Sequence, residues 1–381
     1  MTNCIICHAP APVPIEAYSS LPRVGSDSRP LAPGGRLVRC EQCGAVQKPV
    51  DDLFLAECEA IYASYVMYGQ SSDGAEPKVF DHAACGRSTR LMEAVGGAVE
   101  LTETGRLLDV GCGNGNLLRA FGRLRPQWSM AGLELDDRHG EVVEHICGKG
   151  GLLIGDLADV DGRFDVITAM HVLEHVTEPV KFLGQVRDRL TAGGMVVIQL
   201  PLWRRNPFDL VVADHCVHYD GPTLVRILDA AGFLPVFVSE DAVPRELTVI
   251  ARPGQGTVHE EGTAGDNIHA AVHWLEVTLG NAIQAMEMAG RENFGIFGTG
   301  NAAMWLTQGL GGVGFYVDDD PSRQGESGLT GCPVHAPENV PEGATVFICL
   351  PSELSELVFE RVRGLPVNWL RTPPLEILNV T

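Results

Sequence analysis

The stretch Asp214-His215-Cys216-Val217-His218-Tyr219-Asp220 concentrates acid–base side chains in this 381-residue sequence. Histidine is the side chain best suited to moving protons near neutral pH, and an adjacent carboxylate orients it and raises its basicity. His215 and His218 are therefore candidate bases, with Asp214 and Tyr219 as their partners. A satisfied structural cluster is the other reading. A second kind of chemistry stands at the front of the chain, in Cys4-x-x-Cys7 and Cys40-x-x-Cys43. Each pair presents two thiolates on a tight turn, and Cys4, Cys7, Cys40 and Cys43 together complete a tetrahedral zinc site. Four thiolates close the coordination sphere, so the metal would be structural. The Pro- and Gly-rich segment between the pairs is too poor in apolar residues to fold alone, and metal binding would supply its folding free energy. Ordinary buried cysteines or a redox pair are the alternatives.

The third feature is Leu107-Leu108-Asp109-Val110-Gly111-Cys112-Gly113-Asn114-Gly115. It reads as a buried strand, a sharp glycine turn and the start of a helix, whose free N–H groups face a ligand. A strand follows at Gly132-Leu133-Glu134-Leu135, its carboxylate suited to the two hydroxyls of a ribose. Another strand edge runs through Leu152-Leu153-Ile154-Gly155-Asp156-Leu157. Asp109 precedes the glycines; it would repel a pyrophosphate but suits an ammonium. Phe164 to Met170 is one more strand, followed by His171-Val172-Leu173-Glu174-His175.

Those chemical groups need a sheet to hold them. Apolar segments at Arg106–Val110, Met130–Glu134, Gly151–Ile154, Phe164–Met170, Gly194–Leu200, Val236–Ser239 and Leu247–Ala251 alternate with helical stretches, which predicts an α/β fold on a parallel sheet. Gly193-Gly194 reads as a turn before its strand. Ligands bind beyond the carboxyl ends of such strands, where Asp109, Glu134, Asp156, Met170 and His171 fall. The pattern from Asp51 to about Gly97 is helical, and Tyr62, Tyr65 and Tyr68 cluster in it, for core packing or as a lid. Arg23 and Arg36 are either phosphate contacts or solvated surface. A long amphipathic helix is expected from about Asp266 to Ala289, docking one part of the chain on another. Beyond it, Phe294 to Ala303 is a second strand, glycine turn and helix of the GxGxxA kind, with Asp318 ending the next strand.

Composition is that of an ordinary globular protein, 45% hydrophobic and 20% charged, and no apolar run approaches a membrane span. The formal net charge of −21 argues against nucleic acid or an anionic membrane as partner. With no secretory leader visible and eleven cysteines, a reducing, cytoplasmic setting is expected.

The ordered set Asp109, Gly111, Gly113, Gly115, Glu134 and Asp156 closely resembles the class I S-adenosylmethionine (SAM) methyltransferases. The resemblance implies a Rossmann-like fold and a SAM site formed by Asp109, Gly111, Cys112, Gly113, Gly115, Glu134, Leu135, Asp156, Leu157 and Met170. It places His171 at the strand end that walls off the methionine arm. The whole layout resembles the zinc-containing C-methyltransferases of nucleotide-linked deoxyketosugars. It implies residues 1–80 as a zinc-binding domain with a helical arm and 81–252 as the methyltransferase domain. Residues 253–290 would be the linker and long helix, and 291–381 a Rossmann-like unit that holds the nucleotide end of the substrate. Asp318-Asp319-Asp320-Pro321-Ser322-Arg323-Gln324-Gly325 resembles that family's sequence at the same place. The family's Tyr-x-Glu-His stretch reads Val212-Ala213-Asp214-His215 here, so the base carries over as His215 and the tyrosine does not. C- and O-methylation both remain open. Expected partners are a small molecule, a nucleotide-linked sugar, and at most a second copy of the chain, as monomer or homodimer. Two competing readings are an NAD-binding or bifunctional protein using its GxGxxA unit, and a SAM-binding module without catalysis.

Overall fold

The computed structural model describes residues 3–63, 86–256, 265, 267–326 and 330–375. The front of the chain makes five two-residue strands: β1 (Val13–Pro14), β2 (Arg23–Val24), β3 (Pro30–Leu31), β4 (Val38–Arg39) and β5 (Val46–Gln47). Helix α1 (Asp52–Tyr62) follows, its first turn capped by the Asp51 side chain, which accepts from the Phe54 N–H. Arg36 grips Asp51 with both guanidinium nitrogens at 2.6 and 2.7 Å, and Arg23 pairs with Glu57 at 2.6 Å. Each arginine is paired with a carboxylate inside the module. Helix α2 (Arg87–Ala98) is the described remainder of the helical stretch. Tyr65 and Tyr68 lie outside the described residues.

The central sheet comprises β6 (Arg106–Val110), β7 (Ser129–Glu134), β8 (Leu152–Ile154), β9 (Phe164–Met170), β10 (Leu190–Pro201), β12 (Phe233–Ser239) and β13 (Glu246–Pro253). Strand β11 (Val217–His218) belongs elsewhere. The sheet order is β12-β13-β10-β9-β6-β7-β8. Helices α3 (Asn116–Leu124), α4 (Gly140–Cys147), α5 (Pro179–Arg189) and α6 (Gly221–Ala230) make the crossovers. The pairings from β10 to β8 are parallel, as expected, but β13 runs antiparallel to both of its neighbours. The connection from β12 to β13 is short, and a short connection joins only antiparallel strands. Gly193 and Gly194 lie inside β10, not before it, where the register with β9 slips between Leu190 and Met195. A Cβ on Gly194 would stand 3.0 Å from the Phe164 carbonyl oxygen, so the bulge admits glycine.

Helix α7 (Ile268–Ala289) leads to a third sheet with β14 (Phe294–Phe297), β15 (Phe315–Val317), β16 (Gly325–Glu326), β17 (Pro333–His335), β18 (Thr345–Ile348) and β19 (Asn368–Arg371). Its order is β16-β17-β15-β14-β18-β19, parallel except at β16. Helices α8 (Asn301–Leu310) and α9 (Ser352–Val362) cover it. Two cores cross these boundaries. One joins the paired cysteines to Leu108, Ile167, Leu200 and Tyr219. The other joins Tyr18 and Leu21 to Phe208, α7 and the third sheet. Phe208 meets the edges of Trp274 and Trp305 at 5.3 and 5.4 Å, so α7 does dock the parts together, as its apolar face predicts. Among the described residues no helix is long and apolar enough to cross a membrane.

Candidate active site

The glycine turn leaves β6 with Gly111, Gly113 and Gly115 at φ +68°, +51° and +75°, a region L-side chains rarely adopt. Glu134, at the end of β7, reaches back and accepts from the Gly113 N–H at 2.6 Å and the Leu135 N–H at 3.3 Å. Its carboxylate thus lies against the loop, with lone pairs left for hydroxyls. Beside it the Leu135 side chain is 82% exposed, an apolar platform at a strand end. Asp109 is buried and accepts from Thr168 Oγ1 at 2.6 Å. Burial pushes its carboxyl up to about 7, with the Glu134 charge adding to the effect and Thr168 opposing it. Asp156 is exposed and caps the turn Leu157–Asp159 by accepting from the Ala158 N–H at 2.7 Å. The donor set suits a ligand bearing an ammonium, a ribose and a purine. The side chains of Cys112 and Leu157 pack in the hydrophobic core, so their expected place at the cofactor rests on backbone alone. Met170 is half-buried at the end of β9.

The acid–base stretch lies after β10. Pro207–Val211 forms a 3-10 turn, and β11 follows. His215 and His218 both turn their Nδ1 atoms on one carboxylate, Asp209, each at 2.7 Å. A carboxylate only accepts, so both Nδ1 atoms carry protons, and in the neutral imidazole of His215 the lone pair is on Nε2. Burial works against the Asp209 charge, but the two imidazoles outweigh it and hold the carboxyl well below the usual range. The carboxylate that orients His215 is therefore Asp209, not the adjacent Asp214. Asp214 accepts from the Ser26 N–H at 2.9 Å and Ser26 Oγ at 2.5 Å, and pairs with His175 at 3.3 Å. Burial opposes its ionisation too, yet His175, with His215 and Ser26, keeps its pKa low. Tyr219 is buried with its hydroxyl 3.5 Å from the Leu173 carbonyl, and burial raises its pKa; it packs in the core and does not meet the histidines.

His175 joins the site unexpectedly. It ends the turn Leu173–His175, and α5 begins at Pro179. Its ring meets His215 edge-on at 4.7 Å and its Nδ1 lies 3.1 Å from the Tyr62 hydroxyl. His171 sits at φ +56° with Nδ1 3.2 Å from Glu174 and Nε2 3.2 Å from Glu246. Burial pulls its pKa down, but Glu246 and Glu174 outweigh burial and the nearby Arg87, raising it to about 9. His171 is thus an ion-pair partner at the strand end, and its partner Glu174 lies within 4.8 Å of His175 and His215.

Strand β11 pairs not with the central sheet but with β5 of the N-terminal module, His218 opposite Val46 and Val217 opposite Gln47. The cysteines stand just beyond. Cys4 and Cys43 sulfurs are 3.6 Å apart and those of Cys7 and Cys40 3.5 Å, and all four lie within 4.8 Å of one another. A tetrahedron of thiolates at about 2.3 Å from zinc has edges of about 3.8 Å, so the four fit such an ion.

In the third sheet, Thr299 Oγ1 donates to Asp318 at 2.7 Å, and Arg323 stands 3.7 Å from the same carboxylate oxygen and 3.2 Å from Thr299. Gln324 donates to the Asp318 carbonyl at 3.1 Å. The first turn of α8 is covered by the β2–β3 hairpin, where Ser28 donates to Asn301. The same hairpin contributes Ser26 to Asp214.

Residues 80–236 match a family model described as a methyltransferase domain. A ubiquinone biosynthesis O-methyltransferase from Cereibacter sphaeroides is 35% identical over 115 residues, 28% of this chain and 45% of that protein. One from Bradyrhizobium sp. is 34% identical over 122 residues, covering 30% and 47%. The chain spans less than half the length of these curated relatives. The solved structure of mitomycin 7-O-methyltransferase MmcR aligns over 44% of this chain and 54% of its own, with 18% identity and a TM-score of 0.38. The calicheamicin-biosynthesis methyltransferase CalO1, bound to S-adenosylhomocysteine, aligns over the same shares with 21% identity and a TM-score of 0.35. The central α/β sheet thus carries a stretch that matches a methyltransferase domain, and the glycine turn after β6 lies inside that stretch.

Proposed function

We propose that the protein transfers the methyl group of SAM to a small molecule, a nucleotide-linked deoxyketosugar, using His215 as general base. The observation that carries this reading is the His215–Asp209 dyad, whose free Nε2 stands on the segment following a strand of the cofactor sheet. Asp109, Gly111, Gly113, Gly115 and Glu134 hold SAM, which supplies an electrophilic methyl on sulfur. His215 Nε2 takes the proton from the carbon next to the ketone, or from a hydroxyl. The electrons released form the bond to the methyl carbon as its bond to sulfur breaks. Asp209 holds the imidazolium so formed. The sugar assignment draws support from the layout of paired cysteines, methyltransferase sheet and third sheet. The absent tyrosine at Val212 leaves carbon and oxygen as alternative methyl acceptors. The third sheet, with Asp318 already engaged by Thr299 and Arg323, is read as a substrate-holding unit and not as an NAD site.

Cys4, Cys7, Cys40 and Cys43 are proposed to hold a structural zinc ion. One zinc per chain by elemental analysis supports this; a metal-free chain with an unchanged melting temperature would refute it. The activity is tested by incubating the full chain with SAM and a nucleotide-linked ketosugar in deuterated water. Exchange at the carbon next to the ketone, lost in His215→Ala, is the expected result. Turnover retained in His215→Ala would overturn the assignment of the base.

A further inference from the structure

Lys48 lies directly after β5 and is buried, 4% exposed, yet it belongs to neither the metal site nor the reacting groups. Its Nζ lies 3.3 Å from the Leu210 carbonyl, 3.0 Å from the His215 carbonyl and 3.1 Å from His218 Nε2, and it also donates to the Val212 carbonyl. These acceptors span the loop that carries the dyad. An ammonium only donates, so His218 Nε2 must accept and the His218 proton must sit on Nδ1, facing Asp209. The chain of contacts is then fixed in one direction: Lys48 to His218, His218 to Asp209, and His215 to the other oxygen of Asp209. The Lys48 N–H also donates to the Cys216 carbonyl at 2.9 Å, continuing the β5–β11 pairing onto the loop.

Two imidazoles sharing one carboxylate compete for its charge. Were His218 to take a proton, Asp209 would be neutralised before His215 could use it. Burial, with the Lys48 charge, lowers the His218 pKa to about 4, so the shared charge is kept for His215. Other charged groups face this unit from each side. Arg23 comes from the N-terminal module, Glu174 and His175 from the turn after β9, and Asp214 from the loop itself, where burial keeps the Cys216 thiol neutral.

We propose that Lys48 and His218 are positioning residues for the base. Through Asp209 and the loop carbonyls they fix the orientation and tautomer of His215, and they make the cysteine module part of the catalytic apparatus. The proposal rests on His215 acting as the base. Its purpose accounts for an otherwise costly feature, a buried lysine that among the described residues has no carboxylate in hydrogen-bond contact.

The test uses the full chain in its metal-loaded form. His218→Leu should lower kcat about 100-fold while the Kd for SAM stays within about two-fold, since misorienting a reacting group costs on that order. His218→Asn keeps a donor for Asp209 and an acceptor for Lys48, and should restore most of the loss. Lys48→Met removes a positive charge, so the acidic limb of the kcat/KM profile should move to higher pH by about one unit. Unchanged kcat and pH profile in His218→Leu and Lys48→Met, with His215→Ala inactive, would overturn the proposal and leave the function intact. An inert wild type would instead sink the function. Nitrogen NMR of labelled histidines in the wild type needs neither turnover nor a variant fold. His218 should be neutral with its proton on Nδ1 from pH 6 to 9; an imidazolium His218 at pH 7 would refute the proposal.

Discussion

The two glycine turns, 111–115 and 298–300, look alike as sequence and differ in what the fold does with them. Each ends a buried parallel strand, opens a helix and has an acid at the end of the next strand. After β6 that acid is Glu134, which accepts from backbone N–H groups and has no ion pair among the described residues. After β14 it is Asp318, taken up by Thr299 and Arg323, with the helix start covered by Ser28. The first turn keeps its acceptor capacity for a ligand; the second spends it on the protein. The lesson is that a glycine turn between strand and helix specifies a backbone shape, while the side chains around it decide whether a nucleotide can use it.

Variants can break that comparison. The largest expected effect is on turnover: His215→Ala should lower kcat about 1,000-fold, within the range a positioned base supplies. Asp209→Asn should follow it closely. Asp214→Asn, whose partners are His175 and Ser26, should cost less, and a steady-state assay on the three variants ranks them. Next comes the cofactor loop itself. Glu134→Ala should weaken SAM binding about 100-fold, by removing two charge-assisted hydrogen bonds to hydroxyls. Asp318→Ala should leave SAM affinity unchanged, and equal losses in the two variants would erase the distinction.

A smaller effect is a pH dependence. The Asp109 carboxyl, pushed up to about 7 by burial, must be ionised to meet an ammonium. SAM affinity should therefore rise as pH climbs from 6 to 8, by up to about ten-fold, with a proton released on binding below pH 7. Calorimetry in buffers of different ionisation heat measures that release directly. The smallest effect concerns His171. Its folded pKa of about 9 lies above the ordinary 6.5, so its ion pairs stabilise the fold fully below 6.5 and lose their effect as pH rises through 9. The gap in melting temperature between wild type and His171→Ala should shrink over that window.

Much of this was legible in the sequence because it is local. Strand, glycine turn and helix follow from apolar runs and from residues able to take positive φ. The paired cysteines and the long helix at Ile268–Ala289 likewise announce themselves. What sequence could not show depends on distant contacts. Asp209 meets His215 only because a 3-10 turn at Pro207–Val211 folds the chain back. Lys48 reaches His218 across 170 residues through the pairing of β5 with β11. Asp214, adjacent to His215 in the chain, engages Ser26 and His175 and not the His215 Nδ1. The reversed direction of β13 comes from a short connection whose geometry no hydrophobic pattern encodes.

The central claim is that SAM binds the turn after β6 and that the turn after β14 takes no dinucleotide. Calorimetric titration of the full-length protein tests it most directly. The account predicts one saturable SAM site per chain, weakened about 100-fold in Glu134→Ala and unchanged in Asp318→Ala, with no heat from NAD. Absence of SAM binding at high micromolar concentration, or NAD binding lost in Asp318→Ala, would contradict it.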